Sequence, residues 1–267
     1  MADPIHQFQI VPLPGLDFGE VTLPLIGTVH LAVTNSHIAM TLAFAAVVLF
    51  LSIVTANAKV VPGRTQAAGE AVFGLIDNLT HSIIGHEGKR YFPFVFTLFM
   101  LILGMNLLGL LLTFTVTSQL AITATFAVLT ILLVIGVGFA RNGLGFFLLF
   151  WPTSAPLAIR PVVGLIEFLS FLLRPVTLAL RLFGNMLGGH IALKIFAGFV
   201  VSMGGLFLAA GEFNALGLLG LPVAALSLTM VVGLTALEFL VAGLQAFVFA
   251  VLACIYLNDV VNLEHAH

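Results

Sequence analysis

Apolar runs long enough to cross a bilayer recur along the chain, separated by short polar breaks, and their lengths predict the elements. Residues 35–56 form a first uncharged run, opened by Asn35 and Ser36 as candidate helix caps and followed by Lys59 and Arg64. About 20 apolar residues suffice for a transmembrane helix, so this run predicts one span. In residues 66–84, Val72, Leu75, Ile76, Leu79 and Ile83 recur at helical spacing opposite Glu70, Asp77 and His81. That pattern predicts an amphipathic helix on the membrane surface, with packing on a soluble partner as the alternative. Lys89 and Arg90 close it, and residues 91–140 then carry no charge, which predicts two spans, 92–114 and 119–140, turning near Thr115 to Gln119. Arg141 and Arg160 bracket FFLLFWPTSAPLAI (146–159), too proline-broken for a span.

Two longer runs follow, 161–203 and 222–257, joined by a glycine-rich turn, 204–221, whose one acid is Glu212. At about 1.5 Å per residue, forty-odd helical residues reach ~60 Å, twice the ~30 Å hydrocarbon thickness. The first of these helices must therefore tilt strongly, kink or lie partly flat, with Pro175 as the kink candidate, and the second is also too long to stand upright. Residues 1–34 hold Pro12, Pro14 and Pro24, the acids Asp3, Asp17 and Glu20, and no Lys or Arg. They read as an irregular leader without a removable export signal. No internal repeat is evident.

Composition turns this pattern into a class. The 267 residues are 61% hydrophobic and 7% charged, against about a quarter charged in soluble domains. The expectation is an all-α integral membrane protein: a single membrane domain, 35–267, with about five crossing helices and one amphipathic surface helix, the last two helices long, tilted and forming a hairpin. Long uncharged runs favour helices over a barrel, whose strands alternate over about ten residues. Net charge −2 without a basic patch gives no footing for nucleic acid, and the single Cys254 excludes an internal disulfide. No metal-ligand spacing, nucleotide loop or nucleophile triad is present, so no metal or cofactor is expected. Six of the nine basic residues, Lys59, Arg64, Lys89, Arg90, Arg141 and Arg160, fall in segments assigned to one side. The positive-inside rule then puts the leader outside, and the basic loops and C-terminal NDVVNLEHAH in the cytoplasm.

The remaining three basic residues, Arg174, Arg181 and Lys194, lie inside the first long helix together with Glu167 and His190. Charge at membrane depth is costly, so such residues line a path or face a partner. Glu167, Arg174, Arg181 and Gly188 repeat every seven positions and share a face, with Asn185 one turn beyond Arg181. His190 and Lys194 point to the back of a straight helix. A guanidinium stays protonated, so Arg181 serves as a fixed positive charge rather than a relay. Its counter-charge is either Glu238 from the last helix or a carboxylate on another chain; a structural ion pair is the bland alternative. Glu238 and Gln245 share a face of the last helix. Carboxylate and imidazole exchange protons, while Asn106, Asn185 and Gln245 can hold water or simply join helices. Arg174 and Lys194 are further candidates for a channel lining. The Gly184 to Gly188 run permits close helix approach.

IEFLSFLLRPVTLALRLFGNMLGGH (166–190) with LEFLVAGLQAFVFAVLACIYL (237–257) resembles subunit a of the F-type ATP synthases, over nearly the whole chain. The resemblance implies a non-catalytic, stationary proton-channel subunit with two offset half-channels that load and unload protons on c-ring carboxylates. Arg181 would face that ring, with Asn185, His190, Glu238 and Gln245 near the outer path and Glu167 near the cytoplasmic one. Implied partners are the c-subunit ring, b-type peripheral stalk subunits, the rest of the synthase and membrane lipid. Many bacterial relatives carry Glu at the position of His190 and His at that of Glu238. The exchange seen here is similar to alphaproteobacterial and mitochondrial members, and the acidic leader favours a bacterial inner membrane over the mitochondrial one. The rival class is a self-contained proton-coupled secondary transporter, which lacks support from a repeated half or a second discontinuous helix. A pure scaffold leaves Arg181, His190 and Glu238 unexplained.

Overall fold

Six α-helices follow a β-hairpin in the computed structural model, which describes residues 11–23, 27–56, 58–112, 115–151, 159–209 and 215–263. The leader departs from expectation. Strand β1 (Pro12–Leu23) pairs antiparallel with β2 (Gly27–Thr34), in a register that includes Pro12 with Thr34 and Val21 with Val29. Its prolines had argued for irregular chain, but Pro12 occupies the first strand position, where a missing N–H costs no ladder bond. Glu212, the acid of the long turn, lies outside the described residues, as do 152–158 of the proline-broken stretch and 264–267 of the C-terminus.

The hairpin runs directly into α1 (Asn35–Ala56). Asn35 Oδ1 accepts from the N–H groups of Ser36 and Val11, so the expected capping residue also ties helix to strand. The buried face of α1 is small, Ser36, Ala39, Ala43 and Val47, and lets α1 lie close on α3 (Gly88–Leu111). Between them, α2 (Arg64–Ile84) buries Ile76 and Ile84 against α3 and α6 (Ala215–Val261) of this same chain, while Leu75, expected on the apolar face, is exposed. Helices α3 and α4 (Leu120–Asn142) are joined through a short 3-10 turn, Val116–Ser118. A second 3-10 segment, Gly143–Phe150, follows α4 and packs Phe146 and Phe150 against Phe171 of α5 (Arg160–Ala209). Helix α6 (Ala215–Val261) returns along α5 and completes the core with α3. Both long helices run unbroken through their prolines, Pro175 and Pro222. Five segments are long and apolar enough to cross a membrane, and large exposed hydrophobics such as Phe44, Leu132 and Phe239 cover their outer faces, as lipid requires.

The two ends of the bundle differ in their polar ties. At one end Arg141 grips Glu87 with two bonds of 2.6 Å, holding that carboxyl below its usual range through the hydrogen bonds. This exposed pair contributes stability at neutral pH and loses it as pH falls through the lowered value; solvent keeps the contribution small. At the same end Asn142 Nδ2 donates to Val260 O at 2.7 Å and Asn262 Nδ2 to Ile84 O at 3.3 Å. The opposite end carries the α3–α4 turn and the polar residues described next.

Candidate functional site

Helices α5 and α6 form the most extensive helix contact, and one glycine sets their approach near the turn end. A Cβ at Gly189 would collide with the carboxylate of Glu238, so a larger residue there would displace that side chain. Glu238 is 9% exposed, and among the described residues neither carboxylate oxygen has a hydrogen-bond partner. One turn along α6, Asn106 of α3 donates from Nδ2 to Ala242 O at 3.1 Å, while its buried Oδ1 has no partner among the described residues. His190 follows Gly189 and is half-buried, with Nε2 2.8 Å from Thr115 Oγ1. Among the described residues, the buried hydroxyls of Thr117 and Ser36 also have no partner. Buried polar atoms are almost always satisfied by protein or water, so a cluster of orphans marks a place suited to water or a mobile proton.

Arg181 lies elsewhere. Leu178, Ala179, Leu182 and Met186 are the buried side of α5, whereas Thr177, Arg181, Gly184 and Gly188 are exposed along one face, flanked by exposed Leu173, Val176 and Leu180. No hydrogen bond or ion pair engages Arg181 among the described residues, and Glu238 does not meet it as a salt bridge. Of the two sources left open for its counter-charge, this geometry favours a separate chain. Arg174, which the seven-residue repeat puts on the same face, turns instead toward α6. Its Nη1 meets Asp259 Oδ2 at 2.8 Å, and its guanidinium packs 5.4 Å from the Phe171 ring and 4.8 Å from the Tyr256 ring. Glu167, Asn185, Lys194 and Gln245 are each of intermediate exposure and form no ion pair or side-chain hydrogen bond among the described residues.

The structure thus gathers His190 and Glu238 near one end of the α5–α6 contact and separates them from Arg181. Sequence reasoning missed Asp259, Thr115 and Gly189. Only Asp259 left a signal, as an acid near the end of an apolar helix running antiparallel to one bearing Arg174.

A direct check of this packing uses cysteines at 189 and 238 with Cys254, buried and free, replaced by alanine. A Cβ at Gly189 stands 3.1 Å from Glu238 Cγ, the place a cysteine sulfur would take. Mild oxidation should link the pair in high yield, and an unlinked product would contradict the helix register.

The family model described as ATP synthase A chain matches residues 37–258. The chain is 46% identical to the ATP synthase subunit a of Hyphomonas neptunium over 98% of its length and 97% of that relative's. It is equally 46% identical to that of Rhodopseudomonas palustris, over 99% of this chain and all of the relative. The Agrobacterium fabrum protein gives 46% over 98% of this chain and 99% of its own. A match over most of the chain and relatives this similar along their full length make the chain a member of the ATP synthase subunit a family.

Proposed function

We propose that this chain is the stationary proton-conducting subunit of an F-type ATP synthase, seated in a bacterial inner membrane beside a ring of c subunits. The observation that carries the reading is the separation just described. A permanent positive charge, Arg181, stands exposed on a mostly apolar face of α5, while Glu238, without a hydrogen-bond partner among the described residues, and a half-buried imidazole lie toward the α3–α4 turn.

A proton enters at the turn end, where Thr117, His190, Asn106 and Glu238 offer buried polar atoms, with Asn185 and Gln245 bordering the way. It neutralises a c-ring carboxylate, and the neutral site rotates into lipid. Near the end of α5 that holds Glu167 the ring carboxylate releases its proton to the cytoplasm. Arg181 divides the two paths: it attracts the ionised ring carboxylate and repels a cation attempting to cross directly. Each elementary charge moved across 100 mV supplies about 2.3 kcal/mol to bias the rotation. The ATP chemistry belongs to other subunits, and b-type stalk subunits hold this one still. The basic residues at the Glu87–Arg141 end support a cytoplasmic position for that end and an outer position for the leader. Family membership leaves no role for the self-contained transporter.

The test is a cysteine scan of positions 164–194 in a Cys254→Ala protein, with membrane-impermeant thiol reagents applied from either side. Positions near Glu167 should react from the cytoplasmic side and those from Asn185 to His190 from the outer side. A continuous run reactive from one side through Arg181 to the far end would mean a single pore and defeat the reading.

A further inference from the structure

We infer that Thr115 is a positioning residue for His190: its hydroxyl fixes the imidazole in the tautomer that carries the proton on Nε2. Thr115 Oγ1 has one hydrogen and two lone pairs. Its hydrogen goes to the carbonyl of Gly109, at 3.2 Å, in the last turn of α3, where carbonyls lack intrahelical donors. The same oxygen lies 2.8 Å from His190 Nε2. With the hydroxyl proton committed to Gly109, the oxygen accepts from the ring, so Nε2 carries hydrogen. The opposite tautomer would strip the Gly109 carbonyl of this partner. Gly109 is itself part of the device, since a Cβ there would overlap the Thr115 side chain. Asn106, one turn earlier on α3, fastens α6 beside Glu238. The same end of α3 therefore ties down the imidazole and the turn of α6 next to Glu238.

Among the described residues, the charged or titratable groups on the elements packed at this end are Lys194, one turn along α5, Glu238 of α6, which lies against Gly189, and His37 at the start of α1, which packs on the same turn. At this end α3, α4 and the turn contribute none.

The inference rests on the proton-subunit reading, and its test separates the two. The complete synthase is assayed in inverted membrane vesicles for ATP-driven proton pumping over roughly pH 6–9, the range that brackets imidazole titration, at matched subunit content. Thr115→Val and Thr115→Ala should each lower pumping roughly tenfold, the scale of one lost hydrogen bond, and displace the pH profile. Thr115→Ser keeps the hydroxyl and should restore most of the rate. In a His190→Ala background, Thr115→Ala should cost nothing more. A wild-type rate and pH profile in both apolar variants would overturn the inference, as would additive losses with His190→Ala. Failure of both to assemble would overturn it too, since a structural role then suffices. Arg181→Ala serves as the control: if it pumps normally, the proton-subunit reading fails, and if it is dead while the Thr115 variants are normal, only the positioning role falls.

Discussion

Arg181→Ala should assemble with the rest of the synthase and yet lose proton-driven ATP synthesis and ATP-driven pumping together. The side chain is exposed and forms no ion pair or hydrogen bond among the described residues, so its removal leaves no cavity and no orphaned partner within this chain. On the proposed mechanism, what disappears is the fixed charge that holds the ionised ring carboxylate and blocks direct passage. Passive proton conduction through the membrane sector should persist or rise, because the enclosed polar groups near the turn are untouched. Lysine is an informative second variant. It retains charge on a flexible stem but lacks the planar fork that binds a carboxylate with two bonds, so coupling should be poor rather than restored. Normal ATP synthesis in Arg181→Ala would remove the basis of the proposed mechanism.

The second large effect concerns the tie between Arg174 and Asp259. Their side chains are 19% and 28% exposed, and the guanidinium also rests between the rings of Phe171 and Tyr256. Asp259→Asn leaves a partly buried cation without its counter-ion. Fully buried pairs lose 3–5 kcal/mol on such a change, and partial exposure reduces this to about 2 kcal/mol here. The expected result is a lower dissociation temperature for the subunit within the complex and reduced coupling, since the tie fixes α5 against α6. Arg174→Met with Asp259→Leu should recover most of the stability, because removing both charges leaves neither buried alone. Equal stability of Asp259→Asn and the wild type, measured by thermal dissociation, would show that the pair holds nothing together.

The spans were legible because hydrophobic length is a summed property that no single residue can disguise. The run 35–56 coincides with α1, and the two longest runs became α5 and α6. Helix ends were less legible: α6 begins at Ala215, before Pro222, which the sequence suggested as a natural start. The β-hairpin was hidden by prolines that strands tolerate only at particular positions. Within the site, periodicity correctly separated His190 from Arg181, because both are fixed by one helix. It misjudged Arg174, whose long side chain reaches sideways from its nominal face to α6. Thr115 could not be read as a partner of His190, since 75 residues and a helix turn intervene.

The length of α5 has a consequence for life in membranes of changing thickness. Its 50 residues measure ~75 Å, and most are apolar. Held within a core of ~30 Å, such a helix inclines about 65° from the membrane normal. At that angle a bilayer 3 Å thicker or thinner is met by rotating only about 2–3°. The 22-residue α1, nearly upright, needs on the order of 10° for the same adjustment. When temperature or lipid composition alters bilayer thickness, the first helix re-tilts while the helix bearing Arg181 and His190 barely moves. On the proposed mechanism, the gap between Arg181 and the c ring is thereby insulated from the state of the lipid.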